Sequence, residues 1–431
     1  MKLPFGIKMF NVSLNKSTNI AYTFSLYFVA YLCLSFLGYY IFTNYGYLED
    51  RFNDQTIFAT HLFTIGFISL IFTGSFFQLL PVLFGIDLKI NKTFIITFII
   101  SIILSLLAFF LGLVKGMFSE NYFLLLPFLL LILSWSKLFV AVAINFMTIH
   151  HKKIKDIHLI TCLTHLLMGS SLGLLMIIGH AQLIQFNFRP YHTNLHVMIL
   201  LIGFLLSLIY LIAKNVIPMF FVAETKHNYK WGLFLFYVSL YLKMFAMYSE
   251  NIWINYASTL FLAIMIFSGC YDIIKTFRTR KRKRKNPVIN LWYLGVLILT
   301  SSLILTFHKI DNIDSNFLLH KAFFVFVKII ISAMIVKIMP FLYWLNLSFT
   351  QQNLMRNDTK IPTVNDFFSE KEIKFVYFIQ ILTVLLATFF QKWLGIGLIL
   401  ESIYLISLFI KANNLFNLNI IKLKVEHEQR I

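Results

Sequence analysis

The sequence predicts an all-α protein that crosses a membrane about twelve times, and three observations carry that prediction. Of its 431 residues, 59% are hydrophobic and 13% charged, with a mean hydropathy of +0.79, whereas soluble domains carry roughly 25% charged residues. The apolar residues fall into twelve runs, each close to the ~20 residues that a helix needs to cross the hydrocarbon layer. The basic residues collect in alternate loops, the pattern of a polytopic protein. A chain this apolar needs lipid as the solvent for its outer face, and within lipid each helix must pair its own backbone polar groups.

The spans are expected at 20–43, 57–84, 94–114, 121–148, 158–180, 194–221, 231–249, 254–273, 289–308, 317–346, 374–391 and 395–414. The first follows a polar start with no small-residue cleavage site behind it, so it is read as a retained span and not a signal peptide. Span 2 runs into Pro81 and Gly85, and Lys115 separates spans 3 and 4. Pro190 is placed to open the helix that becomes span 6. Spans 8 and 9 are parted by a basic run, and Lys392 and Trp393 mark a tight turn between spans 11 and 12. The whole chain, 1–431, is read as a single transmembrane domain, since no polar stretch is long enough for a soluble one.

Orientation comes from the loops. The segment 275–287 holds Arg278, Arg280, Lys281, Arg282, Lys283 and Arg284 and is expected on the cytoplasmic side, as is the loop 347–373. Both termini are then cytoplasmic. Counted this way, with Lys374 and Lys411 at span ends included, 26 Lys and Arg are cytoplasmic and five lie outside. Trp231, Trp253, Trp292, Trp344 and Trp393 stand near span ends, as interfacial tryptophans do. The net charge of +19 is thus read as a topology signal that also meets anionic lipid, and no nucleic-acid partner is expected. Cys33, Cys162 and Cys270 lie far apart in apolar segments and suggest no disulfide framework. The abundance of Phe, Ile, Lys and Asn is that of an AT-rich bacterial genome, so the expected membrane is the bacterial inner membrane.

Spans 2, 6 and 10 share a pattern. Span 2 carries His61, Gly66-Phe67, Gln78 and Pro81; span 6 carries His196, Gly203-Phe204, Asn215 and Pro218; span 10 carries His320, Lys337 and Pro340. Histidine to proline is 20, 22 and 20 residues, and a polar residue stands three before each proline. Recurrence every four spans predicts three repeat-like units, about 20–148, 158–273 and 289–414, arranged as three four-helix arcs around a pseudo-threefold axis. All three spans run inward, so their histidines lie near the outer face. His180 and His308 end spans on that side, and His192 stands four residues before His196 on the same helical face. Neutral imidazole is a good ligand for iron, copper or zinc, so His61, His320, His196 and His192 are candidate metal ligands. An interfacial histidine that water reaches needs no ligand, and that bland reading competes at each position.

The stretch from Ala59-Thr60-His61 through Gln78-Leu79-Leu80-Pro81-Val82-Leu83-Phe84-Gly85 resembles the second helix of the heme–copper oxidase catalytic subunit (cytochrome oxidase subunit I). That family has twelve spans in three arcs, with hemes held toward the outer face. The resemblance implies a b-type heme between His61 and His320, with Lys321 at a propionate. The chain also departs from the family. Leu318, not a histidine, stands two before His320; span 7 has no histidine pair; and His196 lies outside the family's His-Pro-x-x-Tyr setting. The resemblance therefore implies a degenerate member with bis-histidine heme, no copper in the usual site, and a role in electron transfer or in gas, heme or copper handling rather than ordinary oxygen reduction. A redox partner or second membrane subunit goes with that reading. Two other classes stay open: a secondary transporter of a small anionic or polar substrate, and a non-catalytic scaffold subunit. Lys137 and Lys328 are the deep lysines a transporter would use, and Glu401 is the one acidic residue well inside a span. No nucleotide loop, serine elbow or HExxH motif occurs, so the sequence leaves open whether the protein is an enzyme.

Overall fold

The computed structural model describes residues 20–45, 50–86, 88, 90–148, 153–183, 190–223, 229–249, 251–281, 283, 285–306, 315–354 and 359–428; at 119, 190, 229, 305, 306, 315–318, 320, 391 and 426–428 it describes the backbone alone. Among these residues there is no strand, and twelve helices are long and apolar enough to cross a membrane. They are α1 (Ile20–Asn44), α2 (Asp54–Phe84), α3 (Lys92–Val114), α4 (Tyr122–Thr148), α5 (Ile154–His180), α6 (Tyr191–Phe221), α7 (Lys230–Tyr248), α8 (Ile252–Arg278), α9 (Pro287–Ile304), α10 (Lys321–Asn353), α11 (Glu370–Phe389) and α12 (Leu394–Val425). The protein is thus an all-α, multi-pass membrane protein.

The ends of the helices follow from local chemistry. The Asn53 side chain accepts the Gln55 N–H at 2.9 Å and opens α2, and Asn251 does the same for Trp253 and Ile254 at the start of α8. Ser369 and Glu372 form a reciprocal capping box on α11, with the Glu372 carboxylate accepting the Ser369 N–H at 2.7 Å. The turn expected at Lys392 and Trp393 is a short 3-10 segment, Gln391–Trp393. Several helices outrun the apolar stretches read from sequence: α8 continues to Arg278 and α12 to Val425. Once a helix has cleared the membrane, continued backbone pairing costs little, so hydropathy marks the span and not the helix.

Contacts group the helices into two compact units, 1–106 with 286–431, and 107–285. In the first unit α1 is pinned to α2 by polar pairs. Thr23 Oγ1 donates to the Gly74 carbonyl at 3.1 Å, Gln78 Nε2 donates to Thr23 Oγ1 at 3.1 Å, and the Tyr27 and Ser75 hydroxyls meet at 2.5 Å. A Cβ on Gly38 of α1 would fall 2.4 Å from the carbonyl oxygen of Gly395 on α12, so only glycine allows that crossing. In the second unit, Gly203 of α6 lies under the His165 ring of α5, and Gly173 of α5 lies under His196 of α6.

The repeat proves to be more than residue spacing in two of its three copies. In α2 a π-helical stretch, Leu62–Ile68, begins immediately after His61; in α6 the stretch Met198–Leu206 begins two residues after His196. Each contains the Gly-Phe pair. Both helices then end four residues past their proline in the left-handed conformation, Gly85 at φ 68° and Val222 at φ 49°. The third copy differs, because α10 is regular α-helix past Pro340. The polar residues before the prolines also diverge. Gln78 reaches α1, while Asn215 turns back to the Leu211 carbonyl of its own helix at 2.7 Å.

Candidate functional site

The histidines expected to ligate a metal are His61, His320, His196 and His192. His61 is half-buried, and its Nδ1–H donates to the Ile57 carbonyl one turn back at 2.7 Å. That bond fixes the tautomer and makes Nε2 the nitrogen that carries the lone pair, the arrangement metal-ligating histidines use. His320 lies on helical backbone that reaches back to Ser315, but its side chain falls outside the described residues. Its neighbour Lys321 is half-buried at the start of α10. Close to these positions, Phe63 of α2 and Phe324 of α10 meet edge to face at 5.1 Å. Phe63 is two residues past His61, and Phe324 is four past His320. The two helices from which the predicted heme ligands come thus touch at this aromatic pair.

His196 and His192 belong to the second unit. His196 Nδ1–H donates to the Gly169 carbonyl of α5 at 2.9 Å, an interhelical anchor with the same tautomeric consequence. The His192 ring lies against Tyr191, with centroids 4.2 Å apart. Among the described residues no three or more His, Cys, Asp or Glu side chains gather at one point.

Two polar clusters were not assembled by the sequence reading. In the second unit, His158 is fully buried, and its Nε2 stands 2.7 Å from Ser207 Oγ, which is 2.7 Å from the Tyr237 hydroxyl. Cys162 Sγ joins at 3.4 Å from Ser207. The His165 ring stacks on Tyr237, its Nδ1–H donates to the Thr161 carbonyl at 2.7 Å, and its Nε2 accepts from the Tyr241 hydroxyl at 3.0 Å. The expected span 5 starts at His158, but α5 starts four residues earlier, at Ile154, so His158 lies one turn inside the helix and is packed. Isolated Ser and Tyr residues in apolar spans give no sequence signal, and only the fold shows that they share a partner.

In the first unit, Lys328 of α10, Gln380 of α11 and Glu401 of α12 meet with Ser332 in a fully buried quartet. Lys328 Nζ donates to Glu401 Oε2 at 2.5 Å and to Gln380 Oε1. The other carboxylate oxygen, Glu401 Oε1, accepts from Ser332 Oγ and from Gln380 Nε2, each at 2.7 Å. Lys328 and Glu401 are 2% and 1% exposed, so both charges are withdrawn from solvent and lipid alike. The other lysine read as deep, Lys137, is exposed on α4. Lys214 pairs instead with Asp272 of α8 at 3.3 Å, near the end of span 8.

No family model, curated protein or solved structure matches this chain.

Proposed function

We propose that this protein is a heme-binding protein of the bacterial inner membrane, with both termini on the cytoplasmic side and His61 and His320 as the residues that would hold the iron. The observations that support the reading are the contact of α2 with α10 at Phe63 and Phe324, within four residues of both histidines in sequence, and the His61 tautomer set by the Ile57 carbonyl. The donor set suits the group. Two neutral imidazoles give low-spin iron its preferred nitrogen ligands, and the Phe63–Phe324 contact makes the neighbourhood apolar. When bound, such a heme supplies reversible one-electron chemistry. The chain's own part is positional. Ile57 holds the His61 ring, the aromatic residues exclude water, and Lys321 supplies a positive charge for a propionate. The anchored His196 of α6, likewise followed by a π-helical stretch, supports the idea that the outer layer is built to present imidazoles. The distribution of Lys and Arg among the loops supports the orientation. Electron transfer or handling of a small gas follows as the role.

The test is a reduced-minus-oxidised visible spectrum of the purified protein made in a heme-replete host. A sharp low-spin band is expected, absent from both His61→Ala and His320→Ala. Protein that carries no heme under those conditions refutes the reading, and a transporter or scaffold becomes the function to examine.

A further inference from the structure

Lys214, Lys243 and Lys328 each hold a polar group of a neighbouring helix from within a span. Lys328 meets the Glu401 carboxylate and Lys214 meets that of Asp272. Lys243 of α7 differs. Its Nζ donates to Asn255 Oδ1 and, at 2.6 Å, to Thr259 Oγ1, both on α8. Both acceptors are neutral, and among the described residues Lys243 makes no ion pair. An ammonium group has three N–H donors, so two are engaged by protein oxygens and the third is left. The Asn255 and Thr259 oxygens solvate the charge without balancing it.

The depth of this charge is a second, independent observation. Lys243 stands five residues before Tyr248, the last residue of α7, which is about 7.5 Å along the axis. Asn255 and Thr259 stand three and seven residues past Ile252, the first residue of α8, about 4.5 and 10.5 Å along it. The ammonium group is therefore held at the depth of its own backbone and does not stretch toward water as a snorkelling lysine does. The interfacial layer of a bilayer is roughly 5–7.5 Å thick on each side, so this depth is its inner edge, just below the lipid phosphates. The site is also open to lipid. α7 is the least buried of the twelve spans, Lys243 and Thr259 are half-buried, and Asn255 is exposed. Tyr248, Trp253 and Tyr256 stand exposed at the same end of the two helices, the rings that mark headgroup level.

We propose that Lys243, Asn255 and Thr259 form a binding site for the phosphate group of an anionic phospholipid. Charge selects the ligand. A phosphodiester carries one negative charge, which balances one ammonium group, and its oxygens accept the remaining N–H in a charge-assisted bond. The Asn255 amide, whose oxygen is taken by Lys243, has its NH2 left to donate to a second phosphate oxygen. A zwitterionic headgroup brings its own cation and gains less from Lys243. A soluble phosphate offers the same oxygens but must leave water to reach this depth, whereas the lipid phosphate is already there. Val238 and Leu242, deeper on α7, are exposed where its acyl chains run. In the orientation proposed above this lipid belongs to the outer leaflet; the site itself rests on α7 and α8 alone and is read without heme.

The experiment is native mass spectrometry of the purified, delipidated full-length protein in detergent, titrated with dioleoylphosphatidylglycerol. Dioleoylphosphatidylcholine and inorganic phosphate serve as competitors. One tightly held phosphatidylglycerol is expected, displaced by neither. Lys243→Met should weaken it about fivefold or more, the worth of one basic residue at a membrane surface, and Lys243→Arg should keep it. Lys230→Met takes the same charge from the opposite end of α7 and should leave the affinity unchanged. Equal affinity in the wild type and Lys243→Met, or an equal loss in Lys230→Met, overturns the proposal. Displacement by inorganic phosphate overturns lipid as the source, and displacement by phosphatidylcholine overturns selection by charge. Glu250, in the segment between α7 and α8, lies outside the described residues. A tenfold gain in affinity in Glu250→Gln would make that carboxylate the counter-charge of Lys243 and overturn the lipid site.

Discussion

Removing one charge from the Lys328–Glu401 pair should cost this protein far more than removing both. Lys328→Met leaves the Glu401 carboxylate at 1% exposure with only Ser332 and Gln380 as donors. Breaking a buried pair in this way costs about 3–5 kcal/mol. Neutralisation sets a ceiling. Taking up a proton at pH 7 from the ordinary glutamate range costs about 3.7 kcal/mol, at 1.36 kcal/mol per pH unit. In Glu401→Gln the orphan is the lysine, and losing its proton at pH 7 costs about 4.6 kcal/mol by the same arithmetic. The two single variants therefore carry opposite pH dependence. The orphan carboxyl binds a proton on folding, so its penalty shrinks by about 1.4 kcal/mol for each unit the pH falls. The orphan amine releases one, so its penalty shrinks as the pH rises. The double variant Lys328→Met/Glu401→Gln buries no charge and should recover about 2 kcal/mol or more of either loss. Unfolding free energy by detergent titration measures all four proteins. Exposure of Cys162 and Cys270, buried in the fold, to a thiol-reactive dye gives a second readout. Single variants within about 1 kcal/mol of wild type, or pH slopes of the same sign, would refute a desolvated ion pair at this position.

Further outcomes follow from the backbone. Gly38→Ala or Gly395→Ala drives a methyl to within 2.4 or 2.1 Å of a carbonyl oxygen on the opposite helix, so each should destabilise by about 1–3 kcal/mol or more, seen as a lowered thermal midpoint. Gly232→Ala, with no atom within 4 Å of the added Cβ, should leave that midpoint unchanged or slightly raised. Val222→Gly relieves a β-branched residue of a left-handed conformation at φ 49° and should stabilise the end of α6 by about 1 kcal/mol. Between α10 and α11, the Thr363 backbone N–H and hydroxyl hold the Asp366 carboxyl below the usual aspartate range. Its capping contribution should thus be complete above that range and disappear as pH falls through the lowered value. Amide exchange at 363–367, corrected for intrinsic rate, checks this.

What the sequence determined is the solvent and the local geometry. Twelve apolar runs require lipid outside and helices within, because no other backbone arrangement pairs its own polar groups one segment at a time. The Ser369-x-x-Glu372 box, the close of α2 at Gly85 and the turn at Lys392 are likewise local, set by residues within a few positions of one another. The matching of spans 2 and 6 was legible too, and their π-helical stretches and left-handed ends deepen it. Tertiary structure decided which buried polar groups share a partner. Lys328, Gln380 and Glu401 lie on three helices separated by tens of residues, and His158, Ser207 and Tyr237 on three others. Periodicity places each residue on a helix but does not tell which face meets which neighbour. It gave Lys137 and Lys328 the same standing, although Lys328 turns inward to a carboxylate and Lys137 lies exposed. That choice depends on the packing of whole helices, where glycines such as Gly38 and Gly395 set how closely two backbones approach, and no stretch of sequence shorter than the fold records it.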